Sequence, residues 1–287
     1  MSIPKIPFGL LGETIIAWIT SHLALPISLL AAAITEVNDL VLAILNLLNP
    51  LVFIAVLTLL AWRFGGRALA GFVLLGFLAI WDQGLWLITM KTLAMAVTST
   101  VLSVAIGVPI GVGMAESRAL SVGMTPILDF LQTMPRFVYL IPAVIILGID
   151  VAPAILATTT LAVIPPARLT ALGISQIDYE TVEAGTSMGC TRRQLLFKVK
   201  LPLALPEIML GINQSLMMAL SMVIIAALIG ASGLGDEILM SIAVLDAGRG
   251  IVAGLAVLVL AISLDRISKG WVARTTESRG IMSRGAR

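Results

Sequence analysis

Long, nearly continuous apolar runs separated by short polar turns dominate this chain. Each run is too long and too uniform for strand alternation, so it predicts helices. The clearest runs are Trp86–Met114, Thr125–Ile149, Ala152–Ile174, Glu207–Gly230 and Ile251–Leu264. Pro50–Trp62 and Ala68–Trp81 are shorter than the ~20 residues that a crossing helix wants. Extended to 47–64 and 68–85, they become two spans joined by a tight turn at Gly65-Gly66. Residues 27–48 are striped instead. Leu30, Ile34, Val37, Val41, Ile44, Leu45 and Leu48 recur at helical spacing, with Ser28, Thr35, Asp39 and Asn46 on a second face. That pattern predicts an amphipathic helix lying at the interface, with a poor transmembrane helix as the alternative. Ala231–Gly250 is partly amphipathic. The pattern divides the chain into an N-terminal segment (1–49), a transmembrane domain (50–270) holding a charged loop at 178–206, and a basic tail (271–287).

Composition sets the class. Of 287 residues, 59% are hydrophobic and 12% charged, against about 25% charged in soluble domains. An all-α polytopic membrane protein with about seven transmembrane helices is the expectation, because a β-barrel would need alternating segments of roughly ten residues. The 25 glycines and 13 methionines suit close helix packing in lipid. Gly107 and Gly111 have the spacing for close approach, and Pro109 can kink the same helix. One cysteine, Cys190, and one histidine, His22, exclude an intramolecular disulfide, a multi-cysteine metal site and a histidine cage. Lys5, Pro4, Pro7 and Glu13 leave no compact apolar region with a cleavage site, so no cleavable signal peptide is expected.

Fourteen of the 18 basic residues fall on the side of the 178–206 loop. Lys5, Lys91, Arg136 and Arg249 fall on or near the other. The positive-inside rule then makes the loop and the C-terminus cytoplasmic and the N-terminus external.

Within the loop, Asp178 to Met188 has helical composition, and its acids come early, where the helix dipole favours them. Gly189 is a good helix-ending residue. Thr191 with Gln194 three residues on is a capping box for a second short helix. Arg192 and Arg193 are exposed donors, Leu195, Leu196 and Phe197 form an apolar edge, and Pro202 closes the segment. Pro206 and Glu207 suit the first turn of the next span.

Glu183-Ala184-Gly185, three residues, Gly189, nine residues and Val199-Lys200-Leu201-Pro202 resemble the signature loop of ABC-importer permeases. Gly185 and Val199 depart mildly from that pattern, which has Ala and Ile there. Residues 128–140, Asn213-Gln214-Ser215-Leu216-Met217, Leu220-Ser221-Met222-Val223 and Gly233-Leu234-Gly235 look like the glycine betaine/proline branch, over roughly residues 45–270. The resemblance implies a type I ABC-importer permease fold with residues 27–48 as a peripheral scaffold helix. It also implies a coupling helix that inserts into a separate ATPase subunit through Glu183, Ala184, Gly185, Gly189, Arg192, Arg193, Leu201 and Pro202. The implied partners are two ATPase copies, a second permease copy, a periplasmic or lipid-anchored substrate-binding protein and membrane lipid, in a bacterial inner membrane; nucleic acid is not among them. No cofactor is expected on this chain, since ATP and Mg belong to the ATPase, and Gly-x-x-x-x-Gly-Lys-Ser/Thr does not occur here. A small residue usually follows the family's proline at the position of Pro135; Arg136 departs from it.

Intramembrane polar groups are candidate pathway residues. They are Asp129, Gln132, Thr133, Pro135, Arg136, Phe137 and Tyr139 on one span, and Asn213, Gln214 and Met217 on another. Asp129 is either solvated near a helix end or paired with Arg136 two turns away. Residues such as Gln214 and Met217 on such a helix are more often interhelical packing. A quaternary ammonium has no N–H and favours aromatic faces, yet aromatics are 5% of the chain. Tight recognition is therefore expected on the separate binding protein. A secondary transporter or channel is the competing reading; it would need no docking loop.

Overall fold

The computed structural model describes residues 20–278, together with Thr14, Ala17 and Trp18. The expected absence of a signal peptide and the last part of the basic tail fall outside these residues. The fold is all-α, and no strand occurs among the described residues. Helix α1 runs Ala24–Leu47, α2 Pro50–Asp82, α3 Trp86–Glu116 and α4 Arg118–Thr133. They are followed by α5 Leu140–Leu147, α6 Val151–Ala162 and α7 Ile164–Ser175. The charged loop contributes α8 Tyr179–Ser187, α9 Arg192–Leu195 and α10 Leu201–Leu203. The described residues end in α11 Leu205–Ile225, α12 Leu234–Ala243 and α13 Ala247–Ser278. Among the described residues, six candidate spans are long and apolar enough to cross a membrane, or seven if a bent pair counts as one.

The centre is built from α3, the α6–α7 pair and α11. Lipid offers no hydrophobic drive between helices, so small residues and interhelical hydrogen bonds hold them. A Cβ on Gly107 would lie 2.8 Å from the Val163 carbonyl oxygen, and one on Gly111 would lie 2.6 Å from Thr170 Cβ. The α3 glycine pair thus sets α3 directly against α7, as its spacing predicts. Ser103 Oγ donates to the Thr159 carbonyl (3.2 Å) and Ser215 Oγ to the Ala162 carbonyl (2.7 Å), tying α3 and α11 to α6.

Helix α2 is a hairpin. Gly66, with φ +85°, breaks it. In a straight helix Phe53 and Phe77 would be ~36 Å apart, yet their ring centroids are 6.4 Å apart, and both rings pack on Trp86. The two arms expected from the short apolar runs are therefore present, with the turn at Gly65-Gly66. The corner lies against the far end of α13, where a Cβ on Gly270 would strike the backbone of Phe64.

One expectation needs correction, and two elements are defined more fully. The single span expected over 125–149 is broken: α4 and the segment Arg136–Leu147 meet at 109°. Met134 and Pro135 are extended there (ψ 137° and 135°), because a residue before proline avoids the helical region. The last span is longer than its apolar run. Helix α13 continues to Ser278, with Lys269 paired to Asp265 one turn back at 2.8 Å, so the tail expected from 271 begins as helix. For residues 27–48, α1 has the length and hydropathy of a crossing helix. Its buried positions are Ile34 and Asn38, whereas Leu30, Val37 and Ile44 of the expected apolar face are exposed. It packs on α3, α6 and α5.

Candidate functional site

The charged loop folds as a rigid two-helix corner. Helix α8 ends in a Schellman closure. Gly189 N–H donates to the Thr186 carbonyl (2.9 Å) and Cys190 N–H to the Gly185 carbonyl (3.1 Å). The closure requires positive φ at Gly189, which stands at +80°, a region costly for residues with a Cβ. The chain then restarts at once. Thr191 Oγ1 accepts from Gln194 N–H (3.3 Å), and Gln194 Oε1 accepts from Thr191 N–H (2.9 Å), completing the capping box.

Gly185 is the buried residue of α8. A Cβ there would come 2.8 Å from Leu195 Cδ1, so the glycine lets α8 and α9 close on each other through Leu195. Because the clashing atom is the end of a flexible side chain, Gly185→Ala should be accommodated by a turn of Leu195. Alanine also gains helix propensity of ~1 kcal/mol over glycine. Purified Gly185→Ala protein should keep its thermal midpoint and its activity; a large loss of either would contradict this packing.

The corner is anchored at both ends. Lys200 Nζ pairs with Glu116 Oε1 at 2.5 Å, joining the loop to the end of α3. Beneath it, Ile174, Ala204 and Ile208 form a small apolar plug, with Val108, Val112, Leu196 and Leu201 packed around them. Leu201 thus belongs to the base, while Pro202 is exposed on α10. The outward face is mixed. Glu183, Ala184, Arg192 and Arg193 are exposed, as are three large apolar side chains, Tyr179 (76%), Met188 (85%) and Phe197 (57%). The Arg193 guanidinium lies 5.9 Å from the Phe197 ring centre. A rigid, exposed, charged-and-apolar knob on a packed base is suited to seat in a cleft of another protein and to pass a push to α7, α11 and α3.

The candidate pathway residues scatter. Asp129 pairs with Arg168 of α7, not with Arg136. Arg136 is exposed and has no ion-pair partner among the described residues. Gln132, Thr133, Pro135 and Phe137 are also exposed around the bend. Tyr139 is buried, and its hydroxyl donates back across the bend to the Leu131 carbonyl. Asn213 is buried and occupied: it donates to Asp265 Oδ1 (3.2 Å) and accepts from Ser268, tying α11 to α13. Gln214 is exposed one residue on, and Met217 packs partly against the core. Sequence reading passed over Glu116, Arg168, Asp265 and Ser268. Glu116, Arg168 and Asp265 sit 39 to 84 residues from the partners that give them a role, so no local spacing marks them.

Residues 107–276 match the family described as "Binding-protein-dependent transport system inner membrane component". The chain belongs to that family. Among its relatives, it is 39% identical to the glycine betaine transport system permease protein OpuAB of Bacillus subtilis (strain 168), over 93% of this chain and 95% of that one. It is 46% identical to the glycine betaine/carnitine transport permease protein GbuB of Listeria monocytogenes, over 70% and 71%. With the glycine betaine/proline betaine permease ProW of Escherichia coli (strain K12), it shares 43% identity over 80% and 64%. The fold resembles that of a chain in inward-facing structures of the MetNI methionine ABC transporter, with TM-score 0.60 and 23% identity, covering 65% of this chain and 93% of that one. The type I importer fold implied by the loop spacing and the glycine betaine/proline branch implied by residues 128–140, 213–217, 220–223 and 233–235 are thus both shown. As a member of this family, the chain is an integral inner-membrane permease.

Proposed function

We propose that this chain is the membrane-spanning subunit of an ATP-driven importer for a small methylated amine or betaine. A separate binding protein delivers the solute, and residues 178–206 dock on a partner ATPase. The supporting observation is the corner itself: an exposed knob at Glu183–Arg193 held by the Schellman closure, the capping box and the Lys200–Glu116 pair. The solute class rests on the names of the relatives, three of which transport glycine betaine. With one docking knob per copy and two ATPase subunits to engage, the assembly is a permease dimer, and the ATPase subunits bind ATP and Mg. The C-terminus and the knob are cytoplasmic. The structure supports a shared side for the two, since α11, the short α12 and α13 make one return passage that brings Arg266, Lys269 and Arg274 back to the knob's side.

Reconstitution tests the division of labour. Proteoliposomes holding permease and ATPase should take up labelled glycine betaine only when the binding protein is added outside and ATP inside. Calorimetry on the purified permease should show no tight solute binding. Micromolar or tighter binding to the permease alone would overturn the proposal, and calorimetry on the binding protein identifies the solute.

A further inference from the structure

The bend between α4 and α5 lies deep in the membrane and carries an unpaired positive charge. Helix α5 packs on α6 and joins it through the turn at 148–150, so the two run antiparallel. From that turn the span Val151–Ser175 extends ~37 Å to the knob. The segment Arg136–Leu147, a 3-10 turn followed by α5, covers only ~20 Å between the bend and the same turn. Arg136 therefore sits about halfway through. The Asp129–Arg168 pair fixes the other side of the bend. Arg168 lies ~10 Å along α7 from its end at Ser175, so α4 reaches the bend inside the membrane.

A guanidinium at this depth is costly against hydrocarbon. Arg136 is nevertheless exposed, as are Gln132, Thr133, Pro135 and Phe137 around it. It has no ion-pair partner among the described residues. Met134 and Pro135 are extended, and irregular backbone is tolerated at membrane depth only where protein buries it or a water-filled cavity meets it. The bend's neighbours are exposed and two are polar, so a water-filled path satisfies both the charge and the backbone. A second copy meeting the bend through its own bend would bring Asp129, which Arg168 already holds.

We infer that Arg136 is a charge filter in the translocation path, which takes the carboxylate of the crossing solute and repels a net cation. The inference rests on the importer reading above and narrows its solute class from methylated amines in general to betaines, which carry an acid group. A guanidinium holds a carboxylate through two parallel hydrogen bonds. A fixed positive charge in a narrow path is also an electrostatic barrier to cations. The small residue usual at this position in the family supplies neither effect.

Thiol chemistry tests the charge directly. Cys190 is the single cysteine, so Arg136→Cys in a Cys190→Ser background offers one target when assembled in proteoliposomes with cysteine-free partner subunits. Water-soluble aminoethyl and sulfonatoethyl methanethiosulfonates should both label it, well ahead of Leu75→Cys, which is exposed on an apolar stretch of α2. The two adducts are similar in size and opposite in sign. Uptake of labelled glycine betaine per ATP hydrolysed should be about tenfold higher with the ammonium adduct than with the sulfonate adduct. Arg136→Lys should retain uptake that Arg136→Gln loses. Labelling no faster than at Leu75→Cys would put Arg136 against lipid or a second copy and overturn the inference. Equal uptake with the two adducts would overturn it while leaving the importer reading intact. Absence of uptake by the wild type would instead defeat the importer reading, and the filter with it.

Discussion

Replacing Gly111 by leucine should abolish recovery of folded permease in mild detergent. Helices α3 and α7 are the most extensively packed pair, and they touch at glycine. A Cβ on Gly111 would meet the Ala167 carbonyl oxygen and lie 2.6 Å from Thr170 Cβ. A carbonyl held in a helix cannot step aside as a side-chain tip does, so the whole helix must move. Overpacking by a single methyl costs ~1–3 kcal/mol in tight interiors, and in lipid no hydrophobic term offsets the lost contact. Gly111→Ala should therefore fold with a lowered thermal midpoint, whereas leucine separates the helices and strains the Ser103–Thr159 hydrogen bond nearby. Gly123→Ala, where a Cβ meets nothing within 4 Å, is the matched control and should leave the midpoint unchanged. Size-exclusion profiles and thermal midpoints for the three variants check the order. A normal profile for Gly111→Leu would contradict the close approach.

What the sequence made legible is what local physics decides. The Gly65-Gly66 turn, the Gly107/Gly111 contact, the stop at Gly189 and the Thr191/Gln194 box each depend on residues within a few positions of one another, and each is found as read. The break at Met134-Pro135 also has a local cause, but apolarity continued through it and suggested one span. Proline inside a membrane helix is compatible with either a kink or a break, and Pro109 shows the milder outcome, with α3 continuous through it. The extent of α13 escaped because an apolar run measures lipid contact, and a helix supported by an i,i+4 pair outlasts the lipid. The pairings of Asp129, Lys200 and Asn213 were invisible for a different reason. Their partners lie on other helices, and only the packing of α7, α3 and α13 against them decides who meets whom. Asp129 illustrates the point: Arg136 shares its stretch of sequence, but the bend turns Arg136 away and brings α7 to Asp129 instead.

Deleting Ala184–Arg193 should abolish both ATPase association and solute uptake while the membrane domain still folds. The deletion removes the exposed part of the knob, with Glu183 left at its stump. It leaves Ile174, Ala204 and Ile208 in their plug, and the Lys200–Glu116 pair lies outside it. A graded version comes from Gly189→Val. Nothing lies within 4 Å of a Cβ there, so the only penalty is backbone strain, ~1–3 kcal/mol for a side chain held at positive φ. That penalty opens the Schellman closure and lets α8 swing relative to α9, which blurs the knob's shape without touching a span. Uptake should fall by about tenfold or more at an unchanged thermal midpoint, and co-purification of the ATPase with tagged permease should weaken in parallel. Gly189→Asn, which tolerates positive φ, should restore most of both. Loss of uptake with full ATPase retention would mean that the corner transmits force rather than holds the partner. Undiminished uptake in the deletion would remove the knob from the transport cycle altogether.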